Sequence, residues 1–374
     1  MYNSRARQRI ALGLKYLVKY TFDDLLGAHR PNRSPLKPVD ILCEITYRCN
    51  LKCPTCFRWT SAPDENELTV DEWNAVIVKL KKWLGTFSLS FGGGEPFLKD
   101  GFVDIVRFAS AHGIITSAVS NGSLIDEIFA KKIISSGLDS LSLSLNSLNP
   151  NVHNATRGSE ASFDDVMRAI TNLRKRGKMR LTISATIMEE NIRELPKIVE
   201  FVVSEGLDGI NFQPLMEAGT FPVFDATGGH KEFPEGKLYK KPGRETLDIT
   251  GIFDEIISMK EKGYPINNSF KHLSLISVYL KNHNDSEFVN LPCNIGPKNF
   301  FLDPFGNVRI CSIMEPIGSI KDDVPESIWS SDKAKIQREL IRDCRKACKL
   351  LNCNFKLLDA NLRAKRILKS LKKQ

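Results

Sequence analysis

Residues 40–56 read Asp40-Ile-Leu-Cys-Glu-Ile-Thr46, then Tyr47-Arg48, then Cys49-Asn-Leu-Lys-Cys53-Pro-Thr-Cys56. A short apolar run hands over at once to three cysteines. Thiolates spaced this closely can bind three irons of a four-iron cubane, leaving the fourth iron open to a small ligand. Zinc is the rival, but a structural zinc site wants four ligands, and the only further His or Cys nearby is Cys43. Cys43 lies inside the apolar run, where a thiol packs as a core residue.

Outward from this stretch the chain alternates short apolar runs with longer amphipathic segments, the pattern of strand-helix units feeding a parallel sheet. Six strands are expected, at Asp40 to Thr46, Thr86 to Phe91, Ile114 to Val119, Ser140 to Leu145, Arg180 to Ile187 and Gly209 to Gln213. Between them helices are expected over Val70 to Leu84, Gly101 to His112, Ile125 to Ser136, Ser162 to Arg176 and Ile192 to Glu205. Each strand is near-continuously apolar, as when both faces are covered. The alternation stops after Pro214. A Gly/Pro-rich stretch from Gly219 to Pro242 reads as a loop or lid, followed by a helical segment around Ile249 to Lys262.

Further motifs fall at the strand ends. The second strand runs into Phe91-Gly92-Gly93-Gly94-Glu95-Pro96, where glycines allow close backbone approach and a carboxylate can accept from an ammonium group. The third ends in Ser120-Asn121-Gly122. The fourth carries Ser142 and Ser144, and Arg157-Gly158 follows a loop containing His153. Gln213 stands just before Pro214 on the sixth. Polar groups at the carboxyl ends of parallel strands are where barrel-type sites form.

The Cys-x3-Cys-x2-Cys loop resembles the signature of the radical S-adenosylmethionine (SAM) superfamily, and Gly93-Gly94-Glu95-Pro96 is similar to that family's Gly-Gly-Glu-Pro motif. The resemblance implies a partial parallel (β/α)6 barrel of the TIM type. It implies a [4Fe-4S] cluster on Cys49, Cys53 and Cys56, whose open iron chelates SAM and whose electron breaks its carbon-sulfur bond to give a 5'-deoxyadenosyl radical. It places the methionine amino group at Gly93, Gly94, Glu95 and Pro96. Ribose and carboxylate contacts then fall to Ser120, Asn121, Ser144 and Arg157, and Gln213 can reach a ribose or adenine edge. An electron donor such as a flavodoxin or ferredoxin is implied as a partner.

A second cysteine group lies at Cys293, Cys311, Cys344, Cys348 and Cys353. Phe300 to Cys311 reads as two strand-like runs joined by a turn at Asp303 to Asn307, a hairpin that brings Cys311 back toward Cys293. This segment resembles the SPASM or twitch extension, which implies an auxiliary iron-sulfur cluster. Five cysteines are too few for two fully cysteine-ligated cubanes, so one cluster is expected, with Cys344 the first candidate as spare ligand and a zinc site as the alternative. The expected organisation is a basic amphipathic segment at 1–34, the barrel at 35–215, a loop and linker helix at 216–290, the cysteine-rich module at 291–355 covering the barrel's open side, and a basic helix at 356–374.

Bulk properties narrow the function. The formal charge of +9 is concentrated at the ends: residues 1–40 carry +5 and residues 356–374 carry +6, so the body is at about −2. A nucleic-acid binder would carry basic charge across its body, so that reading falls. A two-cluster electron carrier would not need the Gly-Gly-Glu-Pro loop. The odd count of nine cysteines argues against a fully paired disulfide set. No run approaches the roughly 18 to 20 apolar residues of a membrane span, and no signal-peptide pattern opens the chain, so the cytoplasm is expected. The basic ends present amphipathic faces that either contact an anionic membrane or pack on the barrel. The substrate is read as a peptide or small molecule.

Overall fold

The computed structural model describes residues 7–16, 18, 37–56, 58–60, 66–216, 223–224, 230–231, 248–282, 285–291, 293–346 and 348. Six strands form a parallel sheet in sequence order: β1 (Asp40–Thr46), β2 (Ser88–Gly93), β3 (Ile115–Ser120), β4 (Ser140–Ser144), β5 (Arg180–Ile187) and β6 (Gly209–Pro214). The helices between them are α1 (Val70–Leu84), α2 (Phe102–Ala111), α3 (Glu127–Ser135), α4 (Pro150–Arg157), α5 (Ser162–Asn172) and α6 (Leu195–Ser204). Local signals set their ends. Thr69 and Glu72 form a reciprocal capping box at the start of α1, and Gly85 receives the chain where it stops.

The strands are not apolar on both faces. Burial alternates along them: Leu89 and Phe91 of β2 and Leu141 and Leu143 of β4 are buried under the helices, whereas Ser88, Ser90, Ser140, Ser142 and Ser144 are only partly covered. The helix-facing side is the core, and the concave side is a half-open polar surface rich in Ser and Thr. The expectation of two covered faces fails because a partial barrel does not fill its interior.

The stretch expected as a loop around His153 is the helix α4. Asn149 caps it, Pro150 takes its first turn and Gly158 ends it in the left-handed region at φ 63°. Beyond β6, α7 (Ile249–Glu261) and α8 (Phe270–Lys281) cover the sheet edge. There Asn268 satisfies both the amide and the carbonyl of Phe212, at 2.7 and 2.8 Å. Apart from a two-stranded ribbon, Val223–Phe224 with His230–Lys231, the expected lid over Gly219 to Pro242 lies outside the described residues. So do Cys353 and the basic helix of 356–374.

The C-terminal region joins the sheet by extending it at the β1 edge. β7 (Phe300–Leu302) pairs parallel with β1, turns at Asp303–Gly306 into β8 (Asn307–Arg309), and β9 (Gly318–Ser319) closes the edge. The order is β9-β8-β7-β1-β2-β3-β4-β5-β6. The hairpin is as expected, whereas its addition to the sheet was not. Helices α9 (Pro325–Ser330) and α10 (Asp332–Arg342) follow.

Residues 7–16 are helical and lie across the amino-terminal ends of the strands. Arg9 pairs with buried Asp139 at 2.8 Å, Lys15 donates to the Leu84 and Thr86 carbonyls, and Tyr16 shares a hydrogen bond with Ser88. Of the two readings of this basic segment, its described part packs on the barrel. No described helix is long and apolar enough to cross a membrane.

Candidate active site

The site is assembled at the carboxyl ends of the strands, starting where β1 releases the chain. Glu67 pins that exit. Its carboxylate accepts from the Thr46 hydroxyl at 2.8 Å and the Tyr47 amide at 2.9 Å, and Lys99 pairs with its other oxygen. The cysteine loop follows. Cys53 is buried, Cys49 and Cys56 are partly exposed, and none is in a disulfide. The Cys53 carbonyl takes hydrogen bonds from the Cys56 amide and the Trp59 indole N–H, both at 3.0 Å.

Burial pushes the Cys49 thiol up to about 11, against a hydrogen bond from the Leu51 backbone, and the charges of Cys53, Glu95 and Cys56 raise it further. Cys56 is also raised, chiefly by burial and then by Cys53, while Arg58 and Arg157 oppose the shift. Neighbouring thiolates therefore oppose ionisation of Cys49 and Cys56, the condition that a bound cationic cluster relieves. Among the described residues no three His, Cys, Asp or Glu side chains converge on a point for one ion. A cubane does not ask for that, since each thiolate takes a different iron. The donor set fits a three-cysteine cluster.

The Gly-Gly-Glu-Pro loop packs directly on this segment. The Gly94 amide donates to the Thr46 carbonyl and the Glu95 amide to the Arg48 carbonyl, both at 2.8 Å. A Cβ on Gly93, at φ +106°, would lie 2.5 Å from the Thr46 oxygen, and one on Gly94 would lie 2.1 Å from that of Arg48. These glycines are thus required for the loop-on-loop contact, a reason beyond the ligand approach expected from the sequence.

Glu95 is 1% exposed. Its carboxylate accepts from the Ser120 hydroxyl (2.8 Å), the Asn121 amide (2.8 Å) and the Phe97 amide (3.3 Å), and Pro96 opens the short helical turn that presents Phe97. Burial raises its pKa, and these three donors and the charge of Arg157 work against the rise. Glu95, Ser120 and Asn121 therefore form one cluster. Asn121 extends it to the cysteine loop, donating to Asn50 Oδ1 at 2.9 Å, while Asn50 donates to Ser123 at 2.8 Å. Asn50 and Ser123 were not singled out in the sequence, where nothing marks an Asn or Ser beside a motif.

Arg157 ends α4 with its Nε buried and without a partner among the described residues. Its charge is felt at both Cys56 and Glu95. Next to it, the absent side chain of Gly158 lets α4 close on the Lys52 carbonyl of the cysteine loop. His153 is not part of the site: it is fully buried, takes the Asn146 amide on Nδ1 at 3.2 Å and meets the Ser162 hydroxyl at Nε2. Ser144 and Gln213 stand on the concave face at the ends of β4 and β6.

In the C-terminal region Cys293, Cys311 and Cys348 are buried and Cys344 is partly exposed. Arg338 of α10 donates to the Gly296 carbonyl at 3.2 Å, and Gln337 of α10 donates to the Glu315 carbonyl at 2.6 Å. One helix therefore ties down the segments that begin at Cys293 and Cys311, and the same helix runs out toward Cys344 and Cys348.

Residues 43–202 match the Radical SAM superfamily, and the chain carries a radical SAM domain over that span. It is 30% identical over 230 residues to the Fe-coproporphyrin III synthase of Methanosarcina barkeri, covering 61% of this chain and 54% of that one. It is 27% identical over 169 residues to the PqqA peptide cyclase of Rhizobium meliloti, covering 45% of this chain and 44% of that one. The chain thus spans about half the length of these relatives. In fold it resembles Streptococcus suis SuiB bound to the precursor peptide SuiA, with a TM-score of 0.62 and 17% identity over 84% of this chain and 72% of that one.

Proposed function

We propose that this chain is a radical SAM enzyme that abstracts hydrogen from a peptide substrate, with an auxiliary iron-sulfur cluster on the C-terminal cysteines. The observation that carries it is the convergence of Cys49, Cys53 and Cys56 with the Glu95, Ser120 and Asn121 cluster at one end of the sheet. An electron carrier has no use for that second cluster of residues.

Cys49, Cys53 and Cys56 would hold the catalytic cubane. When bound, the cubane supplies the electron that splits SAM into methionine and a 5'-deoxyadenosyl radical. Three of roughly four acceptor positions on Glu95 are filled, leaving one for the ammonium of the methionine end. The carboxylate is assigned to Arg157, whose buried Nε without a partner among the described residues supports that role. Ser120, Asn121, Ser144 and Gln213 supply polar groups for the ribose and base. The half-open concave face between them admits a substrate while the surrounding barrel keeps bulk solvent from the reacting atoms. A small iron-sulfur or flavin protein would deliver the electron.

For the auxiliary cluster, Cys293, Cys311 and two of Cys344, Cys348 and Cys353 are the proposed ligands. The peptide assignment draws on the PqqA peptide cyclase match. A second reading, an iron porphyrin, is favoured by the longer match to the Fe-coproporphyrin III synthase. The two are separated by incubating anaerobically reconstituted protein, dithionite and SAM with short peptides encoded beside its gene, or with an iron tetrapyrrole precursor from which Fe-coproporphyrin III would form. The peptide reading expects a mass change in one peptide in step with 5'-deoxyadenosine. Formation of Fe-coproporphyrin III with inert peptides would replace it by the second.

A further inference from the structure

Arg58 lies two residues beyond the last cysteine of the loop and is in contact with it. Its backbone N–H donates to Cys56 Sγ at 3.4 Å, which fixes the residue against that sulfur. The side chain is not solvated: Arg58 is 8% exposed, lies 4.7 Å over the Tyr47 ring and is ion-paired with Glu44. Glu44 comes from the concave face of β1, and its second oxygen, Oε2, is buried without a partner among the described residues. Beyond Glu44 stands Asp303 of the C-terminal hairpin, which is itself paired with Arg309 at 3.7 Å.

A buried ion pair costs more in desolvation than it returns unless its geometry is good, and here one acceptor is left unsatisfied. Stability alone gives little reason for it. Position gives a better one. Reduction of an iron-sulfur cluster adds negative charge, and its potential follows the net charge around it and the hydrogen bonds to its sulfurs. A guanidinium held in a water-poor site beside Cys56 favours the reduced form, and a carboxylate on its far side takes part of that effect back.

We propose that Arg58 and Glu44 are opposed positioning charges that set the reduction potential of the cluster held by Cys49, Cys53 and Cys56, Arg58 raising it and Glu44 lowering it. This rests on the assignment of those cysteines as ligands. Because the N–H bond to Cys56 belongs to the backbone, it survives any substitution at Arg58, so side-chain variants isolate the charge.

The test is a redox titration of full-length reconstituted protein, followed by paramagnetic resonance without SAM, on the signal that a Cys49/Cys53/Cys56 triple-Ala variant lacks. Glu44→Gln is expected to raise the reduced-to-oxidised ratio at fixed ambient potential about tenfold, which is 59 mV for one electron. Arg58→Gln is expected to lower it, and Arg58→Lys to stay near the parent. Shifts of the same sign in Glu44→Gln and Arg58→Gln would overturn the proposal. The Arg58 pair decides by itself if Glu44→Gln takes up no iron, since equal potentials for Arg58→Lys and Arg58→Gln also overturn it. A cysteine variant that loses no part of the parent's signal would instead refute the ligand assignment, a result distinct from a loop-cluster signal that does not move.

Discussion

Gly94 and Arg48 are in backbone contact: a Cβ on Gly94 would stand 2.1 Å from the Arg48 carbonyl oxygen, and the next amide, that of Glu95, donates to the same oxygen at 2.8 Å. The loop that holds Glu95 and the loop that holds the three cysteines are thus one packed unit. On the proposed assignments, cluster binding and SAM binding share a wall.

Gly94→Ala therefore strikes both. The added methyl meets backbone that cannot swing aside, an overpacking cost of about 1–3 kcal/mol or more. The expected outcome is a lower melting temperature together with poor iron uptake on reconstitution. Full iron content with only SAM affinity reduced would place the glycine at the ligand rather than at the loop contact.

Glu95 needs a gentler substitution. Removing its carboxylate with Ala leaves the buried Asn121 amide without its acceptor, about 1–3 kcal/mol of stability unrelated to SAM. Glu95→Gln keeps the shape. It is expected to retain iron and its absorbance while weakening SAM binding by on the order of 1.5–3 kcal/mol, roughly tenfold to a hundredfold. Unchanged affinity by calorimetry would remove the charged contact from the account.

How much of this was legible in the sequence varies with the kind of signal. The six strands and most helices were, because apolar runs and the amphipathic segments between them are local signals. Helix α4 was missed because Asn151 to Arg157 shows no apolar stripe, burying only His153 and Thr156. The pairing of β7 with β1 was beyond reach, since register between segments some 260 residues apart leaves no local trace. In the site, chain order pointed to Glu95, Ser120 and Asn121, and the fold joins them. Glu67, Asn50 and Arg58 act through contacts across loops that no spacing announces.

His153 sets an acid limit on the fold. Burial, then the charge of Arg157, holds its pKa down to about 3 against an ordinary 6.5. The unfolded chain takes up a proton that the folded one refuses. Stability is therefore full above about pH 6.5 and is lost as pH falls toward 3, at up to roughly 1.4 kcal/mol per pH unit. Urea midpoints at pH 7 and pH 5 should differ more in the parent than in His153→Gln. An equal difference in both would assign the acid sensitivity elsewhere.

The auxiliary cluster is tested by iron count. Two cubanes give about eight irons per chain. The triple variant Cys49, Cys53 and Cys56 to Ala is expected to keep about half the iron and, on reduction, a cubane signal that SAM does not shift. An iron-free variant carrying one zinc would make the C-terminal module structural.

The central claim is that the cluster of the cysteine loop cleaves SAM. Anaerobically reconstituted parent and Cys53→Ala proteins are mixed with dithionite and SAM, and 5'-deoxyadenosine is measured over time. Steady formation by the parent and none above background by Cys53→Ala are expected. Formation by the variant at the parent rate would contradict it.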